Sequence, residues 1–237
     1  MQVNPEWKGK TFMSHSGFQL SHPEITLDIS SPNTSGIVRS LWVGGQKAVA
    51  TLSLIALLPL LAVLFVIVRL TSQGPFIFKQ KRVGQFGVTF DVYKIRTMKR
   101  GSESVSALGV NNTSFHVTGI GRILRTLKID EFPQLWNIAR GDMNIVGPRP
   151  IPLALDQKLS DEIPGFYKRY DVKPGLTSIG QICINDNLLG DELVADWKIR
   201  FEGELHYIRN RSIRYDLLMV LMTTLFVVRK FLPNKKL

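Results

Sequence analysis

At 237 residues, with 44% apolar and 21% charged side chains, the chain is long enough for one buried core and too apolar for intrinsic disorder. Its 30 Lys and Arg against 19 Asp and Glu give a formal charge of +11, so its partners should be anionic: nucleic acid, lipid headgroups or phosphorylated substrates. The single cysteine, Cys183, excludes an internal disulfide and fits a reducing compartment.

Residues 1–40 are polar and rich in Ser, Gly and Pro, with no sustained apolar period, and read as an extension without a core. Residues 48–68 come next as AVATLSLIALLPLLAVLFVIV, free of charge and bounded by Lys47 and Arg69. At about 1.5 Å per residue such a helix crosses a bilayer core of roughly 30 Å. A cleaved signal peptide is not expected, because no compact basic region precedes the run and no small-residue cleavage site comes after it. Basic residues crowd residues 79–100, so the positive-inside tendency places the chain beyond the apolar run in the cytoplasm.

After the apolar run, GPFIFKQKRVGQFGVTFDVYKIRTM carries Phe76, Phe78, Phe90, Val92 and Ile95 at alternating positions, which predicts two short strands joined by a glycine turn. A loop is expected over residues 101–114. GRILRTLKID then sets Ile123, Leu124 and Leu127 at helical spacing, and PQLWNIARG reads as a second short helix with Pro133 in its first turn and Gly141 beyond its end. IVGPRPIP is an extended corner, DVKPGLTSIGQI a turn into apolar backbone, and residues 192–209 a mixed-charge helix. The last apolar run, residues 217–228, is too short to span and is expected against the core or the bilayer surface, before a basic tail of Arg229, Lys230, Lys235 and Lys236.

Asp130 and Glu131 stand between the two short helices. On a helix, neighbours point about 100° apart, so the pair suits divided labour: one carboxylate reaches an electrophile and the other holds a hard cation such as Mg²⁺. By spacing alone a structural role is favoured, with Asp130 capping the Pro133 helix and Glu131 complementing its dipole. Lys94, Arg96, Arg122, Arg125 and Arg149 could clamp a diphosphate. Arg149 is the best placed, because Pro148 and Pro150 stiffen its backbone. Lys79, Lys81 and Arg82 read instead as a solvated face over anionic lipid. Gly119 and Gly121 lack the third glycine of a dinucleotide motif, since Leu124 occupies its place. His15, His22, His116 and His206 are scattered without metal-ligand spacing, and Cys183 reads as a buried apolar position. Charge alone also allows a membrane-surface protein that recruits anionic partners, or a tethered nucleic-acid binder. Neither gives Asp130 a task, and aromatics for base stacking are not interleaved in the basic stretches.

Taken in order, FKQKRVGQFG, FDVYKIRTM, GRILRTLKIDEFPQLWNIARGDMNIVGPRP and KPGLTSIGQ resemble the bacterial sugar transferases, the polyprenyl-phosphate hexose-1-phosphate or monotopic phosphoglycosyl transferases. The resemblance covers the chain from about Lys47 onward. It implies an α+β fold: a monotopic, membrane-anchored catalytic domain with an N-terminal proline-broken re-entrant helix, kinked at Pro59, and amphipathic interfacial helices. The implied organisation is a variable extension over residues 1–46, the re-entrant helix over 47–72 and a cytoplasmic transferase domain with a C-terminal amphipathic segment over 73–237.

By the same resemblance the chain transfers a sugar 1-phosphate from a UDP-sugar to undecaprenyl or another polyprenyl phosphate. UMP is released and a surface polysaccharide or glycoconjugate is begun. Asp130 would be the nucleophile of a covalent phosphosugar-aspartate intermediate. Glu131, with Asp130, would bind the Mg²⁺ cofactor, and Lys94, Arg96, Arg125 and Arg149 would bind substrate phosphates, while Pro133 and Gln134 shape the site. The expected partners are the UDP-sugar, the polyprenyl phosphate and anionic lipids of the bacterial inner membrane, with a homodimer left open and nucleic acid not expected. Two positions depart from the family pattern. Ser178 replaces a glycine, and Gln181 is followed by a stretch in which Asn185 stands in place of an arginine the family often supplies.

Overall fold

The computed structural model describes residues 36–101, 116–182 and 190–229. Cys183, Asn185, Lys230, Lys235 and Lys236 lie outside the described residues, as do residues 1–35 and nearly all of the expected loop over 101–114.

The first helix, α1 (Gly36–Thr71), runs through Pro59 and is 36 residues long, or roughly 54 Å. It starts at Gly36, so its first turns come from the stretch that composition assigns to the polar extension. Tertiary partners hold those turns: Trp42 Nε1 donates to Asp216 Oδ2 at 2.8 Å, and Gln46 Oε1 accepts from the Ile145 amide at 2.8 Å. Farther along the same face, Ala50 packs with Val92, Ile138 and Met143, and Leu64 and Val68 pack with Ile95 and Leu124. Leu52, Ile55, Leu58, Val63, Phe65, Val66 and Leu70 are left exposed. With these side chains outward, α1 is long and apolar enough to cross a bilayer and is compatible with a membrane anchor.

The expected hairpin forms from β1 (Ile77–Val83) and β2 (Thr89–Ile95), antiparallel with Phe78 opposite Lys94, Gln80 opposite Val92 and Arg82 opposite Phe90. Opposite residues share a face. Lys94 and Arg82 therefore lie on the inner side, with buried Val92, whereas Lys79 and Lys81 are exposed as expected. The two short helices also appear, as α2 (Gly119–Thr126) and α3 (Gln134–Arg140). Thr118 caps α2 by accepting from the Gly121 amide at 3.0 Å. Pro133 occupies the N-cap of α3, and Gly141, at φ 89°, ends it in the left-handed region.

Asn137 ties α3 to the hairpin. It is fully buried; its Oδ1 accepts from the Tyr93 amide at 3.2 Å, and its Nδ2 donates to the Asp91 carbonyl at 2.7 Å and to Asp142 Oδ2 at 3.2 Å. Asn137→Ala strands two half-buried backbone groups of β2, and we expect a loss of about 2–4 kcal/mol. Thermal unfolding of the purified variant measures it, and an unchanged midpoint removes Asn137 from the account of stability.

The remaining chain forms β3 (Asn144–Val146), α4 (Leu153–Glu162), a 3₁₀ segment (Phe166–Asp171), β4 (Gly175–Thr177), α5 (Ile179–Ile182), α6 (Gly190–Asn210) and α7 (Ile213–Arg229). β3 and β4 pair in parallel. Gly147 and Gly175 let these strands meet, since a Cβ on Gly175 would stand 2.1 Å from the Gly147 nitrogen. A core of Leu155, Leu159, Phe166, Trp197 and Phe201 lies between α4 and α6. Helix α7 buries Tyr215 and Met219 and exposes Leu217, Leu221, Leu225 and Val228, so the final apolar run has both a core face and an outward apolar face.

Candidate active site

Asp130 and Glu131 occupy a single 3₁₀ turn, Ile129–Glu131, between α2 and α3. Lys128 opens the turn at φ 58°, a left-handed conformation uncommon for a side chain of its kind. Both carboxylates are buried, at 6% and 8% exposure. Neither caps α3, whose N-cap is Pro133 with no side-chain hydrogen bond. The capping role that spacing favours for Asp130 is therefore not the one adopted.

The two carboxylates have opposite surroundings. Glu131 Oε1 accepts from Lys94 Nζ on β2 and from Arg149 Nη2, each at 3.1 Å. Burial by itself would raise its pKa, but the charges of Lys94, Arg149 and Lys128 hold it well below the usual carboxylate range. Asp130 Oδ1 is buried with no hydrogen-bond partner among the described residues. Burial pushes Asp130 up against the pull of Lys94, and the neighbouring Glu131 charge pushes it further. One carboxylate is thus locked as an anion among cations, and the other is held with an uncommitted oxygen.

Among the expected phosphate binders, Lys94 and Arg149 converge on Glu131, and Arg125 stands beside Asp130 with its Nε donating to Thr97 Oγ1 at 2.8 Å. Arg96 is directed elsewhere: its Nη1 donates to the Gln73 carbonyl at 2.7 Å, latching the turn at the end of α1. Arg122 is exposed on α2, and Pro59 is exposed within α1.

Charge counting missed Arg82. Its Nη1 donates to the Pro150 carbonyl at 2.7 Å, and burial and the Arg149 charge push its guanidinium down to about 9 against the pull of Glu131. The alternation of β1 carried that signal, because Arg82 shares a face with Phe78 and Gln80. Gln134, expected only to shape the site, lies one turn beyond Asp130 with its Nε2 buried and without a partner among the described residues. An unfilled donor near an unfilled carboxylate oxygen suits a ligand that brings its own acceptors.

No group of three or more His, Cys, Asp or Glu is gathered among the described residues. A Mg²⁺ carried in by phosphates needs only one or two carboxylates, and the unpartnered Asp130 oxygen beside Glu131 fits that demand.

A sequence profile describing bacterial sugar transferases matches residues 45–230. The exopolysaccharide production protein ExoY of Sinorhizobium fredii is 31% identical over 211 residues, covering 81% of this chain and 89% of its own length. The UDP-glucose:undecaprenyl-phosphate glucose-1-phosphate transferase of Caulobacter vibrioides is 39% identical over 70% of this chain and 61% of its own length. The UDP-N-acetylgalactosamine-undecaprenyl-phosphate N-acetylgalactosaminephosphotransferase of Aeromonas hydrophila is 34% identical over 73% of this chain. The chain spans 40% of the length of that relative.

Proposed function

The chain belongs to the bacterial sugar transferase family, and we propose that it transfers a sugar 1-phosphate from a UDP-sugar to undecaprenyl phosphate, beginning a surface polysaccharide or glycoconjugate. The observation that carries this reading is the buried Asp130 with its uncommitted Oδ1, set beside a Glu131 that three cations keep ionised.

In the first step an Asp130 carboxylate oxygen attacks the sugar-bearing phosphorus of the UDP-sugar. The bond from that phosphorus to the bridging oxygen breaks, its electron pair stays on the bridging oxygen, and UMP leaves. In the second step a phosphate oxygen of the polyprenyl phosphate attacks the same phosphorus and Asp130 is released, giving a polyprenyl diphosphate sugar. One displacement becomes two easier ones. Lys94, Arg149, Arg125 and Arg82 stabilise the charge that develops on the transferring group, and the Gln134 amide donates to a phosphate oxygen. Mg²⁺, held by Glu131 and Asp130, would neutralise the diphosphate.

The test is purified protein with Mg²⁺, undecaprenyl phosphate and a panel of radiolabelled UDP-sugars. Labelled lipid and UMP are expected with one or more sugars, and failure of every sugar rejects the reading. The relatives' names include both glucose and N-acetylgalactosamine donors, so the panel spans both. Omitting the lipid and quenching in acid should leave label on the protein.

The opposite shifts of the two carboxylates set the pH profile. Glu131 stays ionised throughout the working range, whereas Asp130 must lose a proton whose pKa is raised. We expect kcat/KM to rise with pH through an acidic limb lying above the ordinary aspartate value. A limb at or below that value assigns the limiting group elsewhere.

For the membrane segment we propose a re-entrant arrangement that leaves the catalytic domain on the cytoplasmic face of the inner membrane. In its favour, one domain touches α1 towards both ends of the apolar run, at Trp42, Gln46 and Ala50 and again at Leu64 and Val68. The flanks of a straight transmembrane helix would lie on opposite sides of the bilayer. Pro59, inside the helix, removes one backbone hydrogen bond at the point where a bend is needed. A cysteine engineered before α1 should resist impermeant labelling in intact cells, and labelling from outside defeats the arrangement.

A further inference from the structure

Behind the site lies a buried ion pair that the transfer chemistry does not call on directly. Arg169, in the 3₁₀ segment, and Glu204, on α6, meet at 3.0 Å with side chains only 3% and 1% exposed. Both also hold the main chain of Arg149: Glu204 Oε1 accepts from the Arg149 amide at 3.1 Å, and Arg169 Nη2 donates to the Arg149 carbonyl at 2.6 Å. One ion pair therefore brackets both polar backbone groups of a single residue, whose neighbours on each side are prolines. Arg169 is itself held in place, with its guanidinium 4.8 Å from the centre of the Phe166 ring and 5.4 Å from that of Trp197.

A buried ion pair seldom stabilises a fold more than apolar packing of the same volume would. Its placement here is better explained by what it fixes. With its backbone clamped from behind and its φ/ψ freedom limited by the flanking prolines, Arg149 has few ways to present its guanidinium, and that group lies 3.1 Å from Glu131 Oε1. We propose that Arg169 and Glu204 are positioning residues: they set the Arg149 guanidinium against Glu131 and so fix the cationic wall of the site. The inference rests on the transferase reading for its catalytic consequence, but the clamp has a readout of its own.

Hydrogen exchange at the Arg149 amide, measured on the full detergent-purified chain without substrates, reads the clamp directly. Glu204→Gln keeps the shape and removes the charge, and Arg169→Lys keeps the charge and loses the fork. Both should speed exchange at Arg149 by about tenfold or more while the α4 amides stay protected. Unchanged exchange at Arg149 overturns the proposal. In the transfer assay, Glu204→Gln should lower kcat by about tenfold with the UDP-sugar KM within about twofold, and should have no further effect in an Arg149→Ala background. Leu159→Ala, in the same core, controls for lost stability and should leave kcat unchanged. Additive losses for Glu204→Gln and Arg149→Ala overturn the positioning role. Absence of transfer by the unmutated protein defeats the transferase reading, and the exchange result still decides the clamp.

Discussion

Asp130→Asn is expected to lower transfer by at least about 10³-fold and to abolish acid-stable label on the protein, because the amide cannot serve as the attacking oxygen. The same substitution should leave the fold intact. Burial holds the Asp130 pKa above its ordinary value, so the folded state binds this proton more tightly than the unfolded chain does. That contribution to stability is lost as pH rises between the two values, and near pH 7 the wild-type protein bears the cost of a buried, incompletely satisfied carboxylate. Asparagine carries no such charge. The variant's unfolding midpoint at neutral pH should therefore equal or exceed that of the wild type, and its excess should shrink on acidification. Lost activity together with a lowered midpoint would mean that Asp130 serves the fold, whereas residual turnover within about tenfold of wild type would remove it as the nucleophile.

The parts of the fold that were legible in the sequence are those written in short-range pattern. The hairpin followed from Phe76, Phe78, Phe90 and Val92, and the α2 and α3 helices from Leu124, Pro133 and Gly141. The parallel β3–β4 pair was not legible, since each strand has three residues and nearly thirty separate them. Nor was the early start of α1, whose first turns are held by Asp216 and Ile145 rather than by their own composition.

Side-chain roles divided in the same way. Asp130, Glu131, Lys94 and Arg149 converge because they sit on stiff local frames whose direction the sequence implies: a strand, a tight turn and a double-proline corner. Arg96 looked equivalent to Lys94, yet it is two residues farther along, past the end of β2, where the Gln73 carbonyl captures it. Arg169 and Glu204 sit in ordinary charged stretches. Their burial depends on which faces of the 3₁₀ segment and α6 meet, and no local period records that.

Glu131→Gln should fail differently from Asp130→Asn, by losing stability as well as activity. Glu131 Oε1 is the shared acceptor of Lys94 and Arg149, and its charge also offsets that of Arg82. A neutral amide leaves these cations facing one another with burial costs no longer balanced, and breaking a buried pair in this way costs about 3–5 kcal/mol. The sign comes from the shift. The Glu131 pKa is depressed in the folded state, so its contribution is complete above the unfolded value and disappears as pH falls through the folded one. The gap in unfolding midpoint between wild type and Glu131→Gln should accordingly be widest near neutral pH and close on strong acidification. Transfer should fall by about 10²–10³-fold, because repulsion displaces the groups that meet the diphosphate. An unfolding midpoint that matches wild type at neutral pH would show that the cationic wall stands without Glu131, and the division of labour between the two carboxylates would have to be redrawn.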